Sequence, residues 1–258
     1  MPSASVPLRG GADSGAAAAS ACAPQPPSCD DACGELLAYI LEQRRAVRWS
    51  AYYEEIAAFL RESGVARESP ATLVEVGTAW GGLAHHLLQG LPHLRLVAVD
   101  PFLPYDPGDV QSSILERVQQ KYSSLGGRET GSELWARAMR FDMVGRFGCR
   151  YALIHAASSA AAEEAARNRS GLFPAGIDAA FIDGDHTYRG IETDLAAWRR
   201  VVREGGLLLF NDYGFEMFPG VQAMVDAHAA MTGQEVIFVG DPEHHNVVLR
   251  NLPFDASR

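Results

Sequence analysis

The stretch FIDGDHTYRGIETDLAAWRRVVREGGLLLFNDY, residues 181–213, gathers side chains that can do chemistry at two points. It reads as an apolar strand ending on Asp183, with Asp185 and His186 just beyond, then a helix, a glycine stop and a second apolar strand ending on Asn211 and Asp212. Carboxylates serve as general bases or as ligands for hard cations, and an imidazole with an ordinary pKa of about 6.5 exchanges protons near neutrality. Plainer uses compete. Asp185 or Thr187 suits the cap of the helix that follows, and His186 suits a hydrogen-bonded surface position.

A second cluster lies upstream. VEVGTAWGGLAHHLL puts Gly77 at a strand end, Gly81 and Gly82 at the opening of a helix, and Asp100 at the end of the following strand. Small residues let a backbone approach a ligand, and an acid about 20 residues on suits ribose hydroxyls, so a nucleoside cofactor is implied. The string is not G-x-G-x-x-G, which argues against a pyrophosphate cofactor such as NAD. S-adenosylmethionine has a ribose and no phosphate, and it fits. Gly77, Thr78, Gly81 and Asp100 are the candidate cofactor contacts on this turn, and Glu75, an acid inside an apolar strand, needs a partner such as the cofactor's amino group. A tight turn with no ligand is the alternative.

These residues need a sheet to position them. Short apolar runs at 72–77, 94–100, 150–155, 177–183, 206–212, 235–240 and 246–251 alternate with helical patterns at 80–90, 187–203 and 219–232 and over SAAAEEAARN. Strands buried on both faces and followed by helices mean a doubly wound, mostly parallel α/β sheet. Ile191, Leu195, Trp198 and Val202 fall on one helical stripe and belong to the core. Arg199, Arg200 and Arg203 favour that helix's C-terminal dipole, and Gly205 and Gly206 stop it. His244 and His245 are loop residues. Two amphipathic helices, from Glu35 and from Ser50, precede the first strand. The segment 101–149 interrupts the rhythm with two expected helices, 110–124 and 132–147, and is either a lid over the crevice or a peripheral insert.

Residues 1–33 are rich in Ala, Ser, Pro and Gly and are expected to be disordered, with residues 34–258 forming the folded domain. An organelle transit peptide fits poorly, because Arg9 is the only basic residue there. The four cysteines read as free thiols of a reducing compartment rather than as a disulfide framework or zinc site. With no long apolar run, a soluble, cytoplasmic protein is expected. A net charge of −10 and the absence of a basic cluster exclude nucleic acid and anionic membrane as partners and leave small molecules or cations. A homo-oligomer is compatible with this composition. Lysine-dependent chemistry has one candidate, Lys121.

VEVGTAWGG followed by VAVDPF resembles motif I and the ribose-binding acid of Rossmann-like, S-adenosylmethionine-dependent methyltransferases. Residues 181–213 are similar to the later motifs of a subgroup with the macrocin and novobiocin sugar O-methyltransferases and the cephalosporin hydroxylase-related proteins. The resemblance covers about residues 70–250. It implies a seven-stranded sheet with an antiparallel last strand and an N-terminal helical extension. It implies that Asp183 and Asp212 end neighbouring strands, and that Asp183, Asn211 and Asp212 correspond to a metal-holding set, with Asn211 standing where relatives have an acid. Mg²⁺ is the expected ion. Asp185 stands at the position of the general base, with His186 next, while Ser158 and Asp183 fall among the cofactor contacts. The expected activity is metal-assisted O-methylation of a small-molecule hydroxyl. The alternatives are metal-independent N- or S-methylation and a non-catalytic cofactor-binding subunit.

Overall fold

The computed structural model describes residues 25–46, 50–65, 70–103, 129–167 and 176–252, together with Glu116 and Gln120. Among the described residues, seven strands form one sheet: β1 (Ala71–Val76), β2 (Leu94–Val99), β3 (Tyr151–Ile154), β4 (Ile177–Ile182), β5 (Val202–Phe210), β6 (Ile237–Phe238) and β7 (Val247–Arg250). Their order is β3-β2-β1-β4-β5-β7-β6. The first five strands pair in parallel, and β7 runs antiparallel to both β5 and β6.

Seven helices with described bounds flank the sheet: α1 (Asp31–Ala46), α2 (Ser50–Glu62), α3 (Gly82–Gly90), α4 (Gly131–Phe147), α5 (Ser158–Arg167), α6 (Tyr188–Trp198) and α7 (Pro219–Thr232). Successive side chains of a strand point to opposite faces, so each central strand feeds two cores. Leu73 of β1 and Phe181 of β4 pack with the layer of α1 to α4, while Val74, Ile182 and Trp198 pack with the layer of α5 to α7. The strand order reverses between β1 and β4, and crevices beyond the carboxyl ends of strands at such a reversal bind ligands.

The structure corrects several expectations. The helical extension begins at Asp31, where an expected disordered segment still runs, and Cys33 within it is fully buried. Cys33 is bridged to Cys29, Cys149 is also disulfide-bonded, and no free cysteine occurs among the described residues. Four residues of separation at a helix start bring the two Cα atoms to 5.2 Å, within bridging range. The expectation of free thiols is overturned, and with it the cysteine-based reason for a cytoplasmic location. Residues 1–24, which include Cys22, lie outside the described residues. No helix among the described residues is long and apolar enough to cross a membrane.

Helix α6 ends at Trp198, not near residue 203, and Gly205 and Gly206 lie inside β5 instead of stopping a helix. The β4–β5 register passes from Ile177↔Val202 to Ala179↔Leu207, a bulge that Gly205 allows with φ +72. A Cβ on Gly206 would lie 2.6 Å from the Asp178 carbonyl oxygen. Arg203 is drawn to the Asp178 carboxylate at 2.8 Å rather than to a helix dipole. Strand β6 shrinks to two residues at the sheet edge.

Of the insert, α4 is part of the core. Thr130 and Glu133 close a capping box at its start, and Leu134, Trp135, Met139 and Met143 are buried. Arg44 of α1 ties it down, donating to Asp142 at 2.7 Å. The helix expected over 110–124, with Lys121, lies outside the described residues except for Glu116 and Gln120, which are helical and exposed.

Candidate active site

The carboxyl ends of β1, β2, β4 and β5 open onto a cavity of about 730 Å³, lined by every expected site residue except Gly81. Gly81 is left-handed at φ +68, and a Cβ there would lie 2.5 Å from the Met139 Cε. Its small size admits α4 rather than a ligand.

Gly77 has a different duty. At φ +82 it turns the chain out of β1, and a Cβ would stand 2.1 Å from the Asp183 carbonyl oxygen. Asp183 itself is anchored to β1 by its N–H, which donates to the Val76 carbonyl at 2.9 Å. The glycine turn and the end of β4 thus touch backbone to backbone, and the fold needs a residue without a side chain there.

Asp100 organises the turn. Its carboxylate accepts from the N–H of Thr78 at 2.9 Å, Ala79 at 3.0 Å and Phe102 at 2.7 Å. Burial pushes its pKa up, against those hydrogen bonds. Ala79 at φ 43 and Phe102 at φ 47 are held in a conformation that side chains avoid, strain of the kind that collects at ligand sites. Trp135 of α4 adds a donor from Nε1 to the Ala79 carbonyl at 3.2 Å, and Arg44 donates to the Trp80 carbonyl at 2.8 Å. Trp80, Trp135 and Phe102 form an aromatic wall, with Trp135 ring centroids 4.9 Å from Trp80 and 5.8 Å from Phe102.

Glu75 lies under the turn, 2 % exposed, and accepts from the Thr78 hydroxyl at 2.7 Å. Burial raises its pKa from 4.5 to about 8. The folded chain therefore holds this proton more tightly than the unfolded chain. The resulting stability is fully present below pH 4.5 and is lost as pH rises through about 8. Glu75→Gln cannot ionise. Its urea midpoint gains on that of the native chain between about pH 5 and about pH 8.5, and parallel pH profiles for the two proteins would contradict the assignment.

At the other rim the expected acids converge. One ligand atom each from Asp183, His186 and Asp212 lie within 4.8 Å of one another. His186 Nε2 is 3.2 Å from Asp183 Oδ1 and 3.0 Å from Asp212 Oδ2, and its ring stacks on Phe218 at 4.2 Å. Burial pulls the imidazole pKa down, but the two carboxylates outweigh it and raise it to about 10. Burial likewise raises Asp183, against the pull of His186. Asp212 takes the left-handed conformation at φ 59, which aims its carboxylate toward Asp183.

Asn211 does not offer its oxygen to this cluster. Its Nδ2 donates to Asp183 Oδ1 at 2.8 Å, and its Oδ1 accepts from the Tyr52 hydroxyl at 3.1 Å. An amide beside a carboxylate turns its donor toward the charge, so Asn211 orients Asp183, and His186 stands where a third ligand was expected. Asp185 folds back: its carboxylate accepts from the Thr187 N–H at 3.0 Å, and Thr187 caps α6 through the Gly190 N–H at 3.0 Å. Asp185 faces the cavity from a turn, and the imidazole is the basic group at the acid pair. Ser158 Oγ accepts from the Trp198 indole at 2.8 Å and is engaged in packing.

Tyr52, Tyr53, the Trp80–Trp135–Phe102 wall, Asp194 and Phe218 also line the cavity and were not singled out from the sequence. Adjacent tyrosines on an amphipathic helix look like core, and a tryptophan in an insert gives no sign of its partner. A family of proteins described as a methyltransferase domain matches residues 74–213, more than half of the chain. The chain belongs to this family.

The sheet order and glycine turn of this methyltransferase domain are those of the Rossmann-like, S-adenosylmethionine-dependent enzymes. An uncharacterized protein of Acanthamoeba polyphaga mimivirus is 25% identical over 142 residues, 55% of this chain and 51% of its own length. The chain thus spans about half the length of that relative. Among solved structures, the calicheamicin-pathway TDP-rhamnose 3'-O-methyltransferase CalS11 is similar at 17% identity and TM-score 0.47, over 75% of this chain and 76% of that one. The O-methyltransferase NovP is similar at 19% identity and TM-score 0.45, over 77% and 80% of the two chains. MycE of the mycinamycin pathway, solved with Mg, SAH and mycinamycin VI, is similar at 16% identity and TM-score 0.45, over 77% and 49%.

Proposed function

We propose that the protein transfers the methyl group of S-adenosylmethionine to a hydroxyl oxygen of a small molecule, with Asp183 and Asp212 holding a divalent cation beside the cofactor. The observation that carries this reading is the meeting of two carboxylates from neighbouring strands at the open rim of a nucleoside-sized cavity. Two acids this close repel unless positive charge joins them. Mg²⁺ binds through one or two carboxylates and fills its remaining positions with water and substrate oxygens, so the donor set fits it, and Mn²⁺ suits carboxylate oxygens as well. When bound, such an ion supplies Lewis acidity that makes an acceptor hydroxyl more acidic.

The chain's own residues do the rest. Gly77 and Asp100 seat the cofactor, and the aromatic wall excludes water from it. With Asp183 and Asp212 committed to a bound ion, His186 would be freed from the carboxylates that otherwise hold its imidazolium and could accept the hydroxyl proton, with Asp185 second. The oxygen attacks the methyl carbon, the carbon–sulfur bond breaks, and its electron pair stays on sulfur as S-adenosylhomocysteine. Alignment of oxygen, carbon and sulfur supplies much of the acceleration.

One observation favours a second reading. His186 already bridges both acids at 3.2 and 3.0 Å, so its own charge satisfies them, and a metal-free enzyme acting on a hydroxyl, amine or thiol uses the same rim. Labelled methyl transfer across a panel of hydroxyl, amine and thiol acceptors separates the two. The leading reading expects hydroxyl products, a loss of at least about tenfold on chelation with EDTA, and recovery with Mg²⁺ or Mn²⁺. Chelator-insensitive turnover selects the metal-free enzyme, and cofactor binding without any turnover selects a non-catalytic role.

A further inference from the structure

The acid rim is completed from outside the residues that match the family. Tyr52 stands on α2, ahead of residues 74–213, yet its ring is buried in the core and its hydroxyl reaches the end of β5. That hydroxyl donates to Asn211 Oδ1 at 3.1 Å, while Asn211 Nδ2 donates to Asp183 Oδ1 at 2.8 Å. Tyr52 and Asn211 are each 5 % exposed, and both line the cavity. The Tyr52 ring packs beside Tyr53, with centroids 5.0 Å apart, so the phenol has a fixed place.

An amide carries an acceptor oxygen and a donor nitrogen of nearly equal shape, and its neighbours decide which one faces where. Here Tyr52 and Asp183 agree: the oxygen stays on the side of the phenol and the nitrogen on the side of the acids. Turning the amide over would break both bonds at once and set an oxygen against a carboxylate. A buried polar atom deprived of its partner is costly, so the amide stays as it is. The oxygens offered where β4 and β5 end are then the carboxylates of Asp183 and Asp212.

We propose that Tyr52 is a positioning residue that holds the Asn211 amide oxygen away from the rim, so that a cation there finds two carboxylates as its protein oxygens and keeps its other positions for water and the acceptor. This rests on the metal reading above, and the test separates the two. Without the hydroxyl, neither orientation of the amide suits a metal-free rim: one buries Oδ1 with no donor, and the other turns it on Asp183. A cation favours the second, because it joins the amide oxygen to the carboxylate.

The probe is Mn²⁺, bound in the presence of S-adenosylhomocysteine to the full chain and to Tyr52→Phe, each labelled with carbon-13 at the asparagine side-chain carbonyl. Electron–nuclear double resonance then reports whether an amide carbon is coupled to the ion, and Asn211 is the asparagine bonded to Asp183. The native chain is expected to show coordinated water and no coordinated amide. In Tyr52→Phe a strong carbon coupling appears and about one coordinated water is lost. A merely structural defect loosens the ion without bringing the amide onto it. A native spectrum that already contains a coordinated amide overturns the proposal whether or not Tyr52→Phe folds. A folded Tyr52→Phe whose ion keeps the native spectrum overturns it too. A native chain that binds no Mn²⁺ saturably overturns the metal reading, and the role of Tyr52 falls with it.

Discussion

Gly77→Ala is expected to lose about 3 kcal/mol or more of stability and, in whatever fraction folds, at least about 100-fold in S-adenosylhomocysteine affinity. Two costs combine. The residue sits at φ +82, where a side chain is strained, and its Cβ would land 2.1 Å from the Asp183 carbonyl oxygen. That oxygen belongs to the backbone at the end of β4 and cannot swing aside as a side chain would. Relief requires β1 and β4 to part at their carboxyl ends, which breaks the Asp183 N–H bond to Val76 and moves the acid rim together with the cofactor turn. Urea unfolding and calorimetry read the two losses separately. Native-like values for both would mean that the turn has slack that the contact distances deny.

Asp212→Asn is expected to do the reverse: to leave fold and cofactor affinity near native while lowering methyl transfer by about 100-fold or more. Asparagine tolerates the left-handed conformation that Asp212 adopts at φ 59, so the backbone is undisturbed. What vanishes is one of the two charges facing His186. If a cation binds the rim as proposed, Asp183 alone would then hold it, and the His186 ring loses the partner that positions it from the β5 side. Steady-state methyl transfer alongside S-adenosylhomocysteine calorimetry checks this. A variant that turns over normally would remove Asp212 from the chemistry.

The contrast between these two variants shows which features a sequence displays. Apolar runs that end on Gly77, Asp100, Asp183 and Asp212 name the strand ends directly, because burial on both faces demands such runs and their limits. The stripe of Ile191, Leu195 and Trp198 likewise reports its own burial. What stayed hidden depends on partners far along the chain. Asn211 reads as a metal ligand until Tyr52, 159 residues earlier, is seen to take its amide oxygen. His186 reads as a spare base until β4 and β5 are neighbours and both acids reach it. Gly205 and Gly206 signal a helix stop as strongly as a bulge, and only the β4–β5 register decides between them. Cys29 and Cys33 sit in a stretch whose composition resembles linker, and the packing of α1 on α4, with Arg137 of α4 reaching Asp30, ties down its end. Trp135 of α4 is invisible as a cofactor wall because nothing local marks the turn it covers.

A paramagnetic titration tests the acid rim most directly: Mn²⁺ added to the native chain and to Asp212→Asn in the presence of S-adenosylhomocysteine, with the free ion followed by electron paramagnetic resonance. Saturable binding of one ion per native chain, lost or sharply weakened in Asp212→Asn, is the expected result. Binding that never saturates in the native chain, or that is the same in both proteins, would mean that His186 alone reconciles Asp183 with Asp212 and that no metal belongs between them.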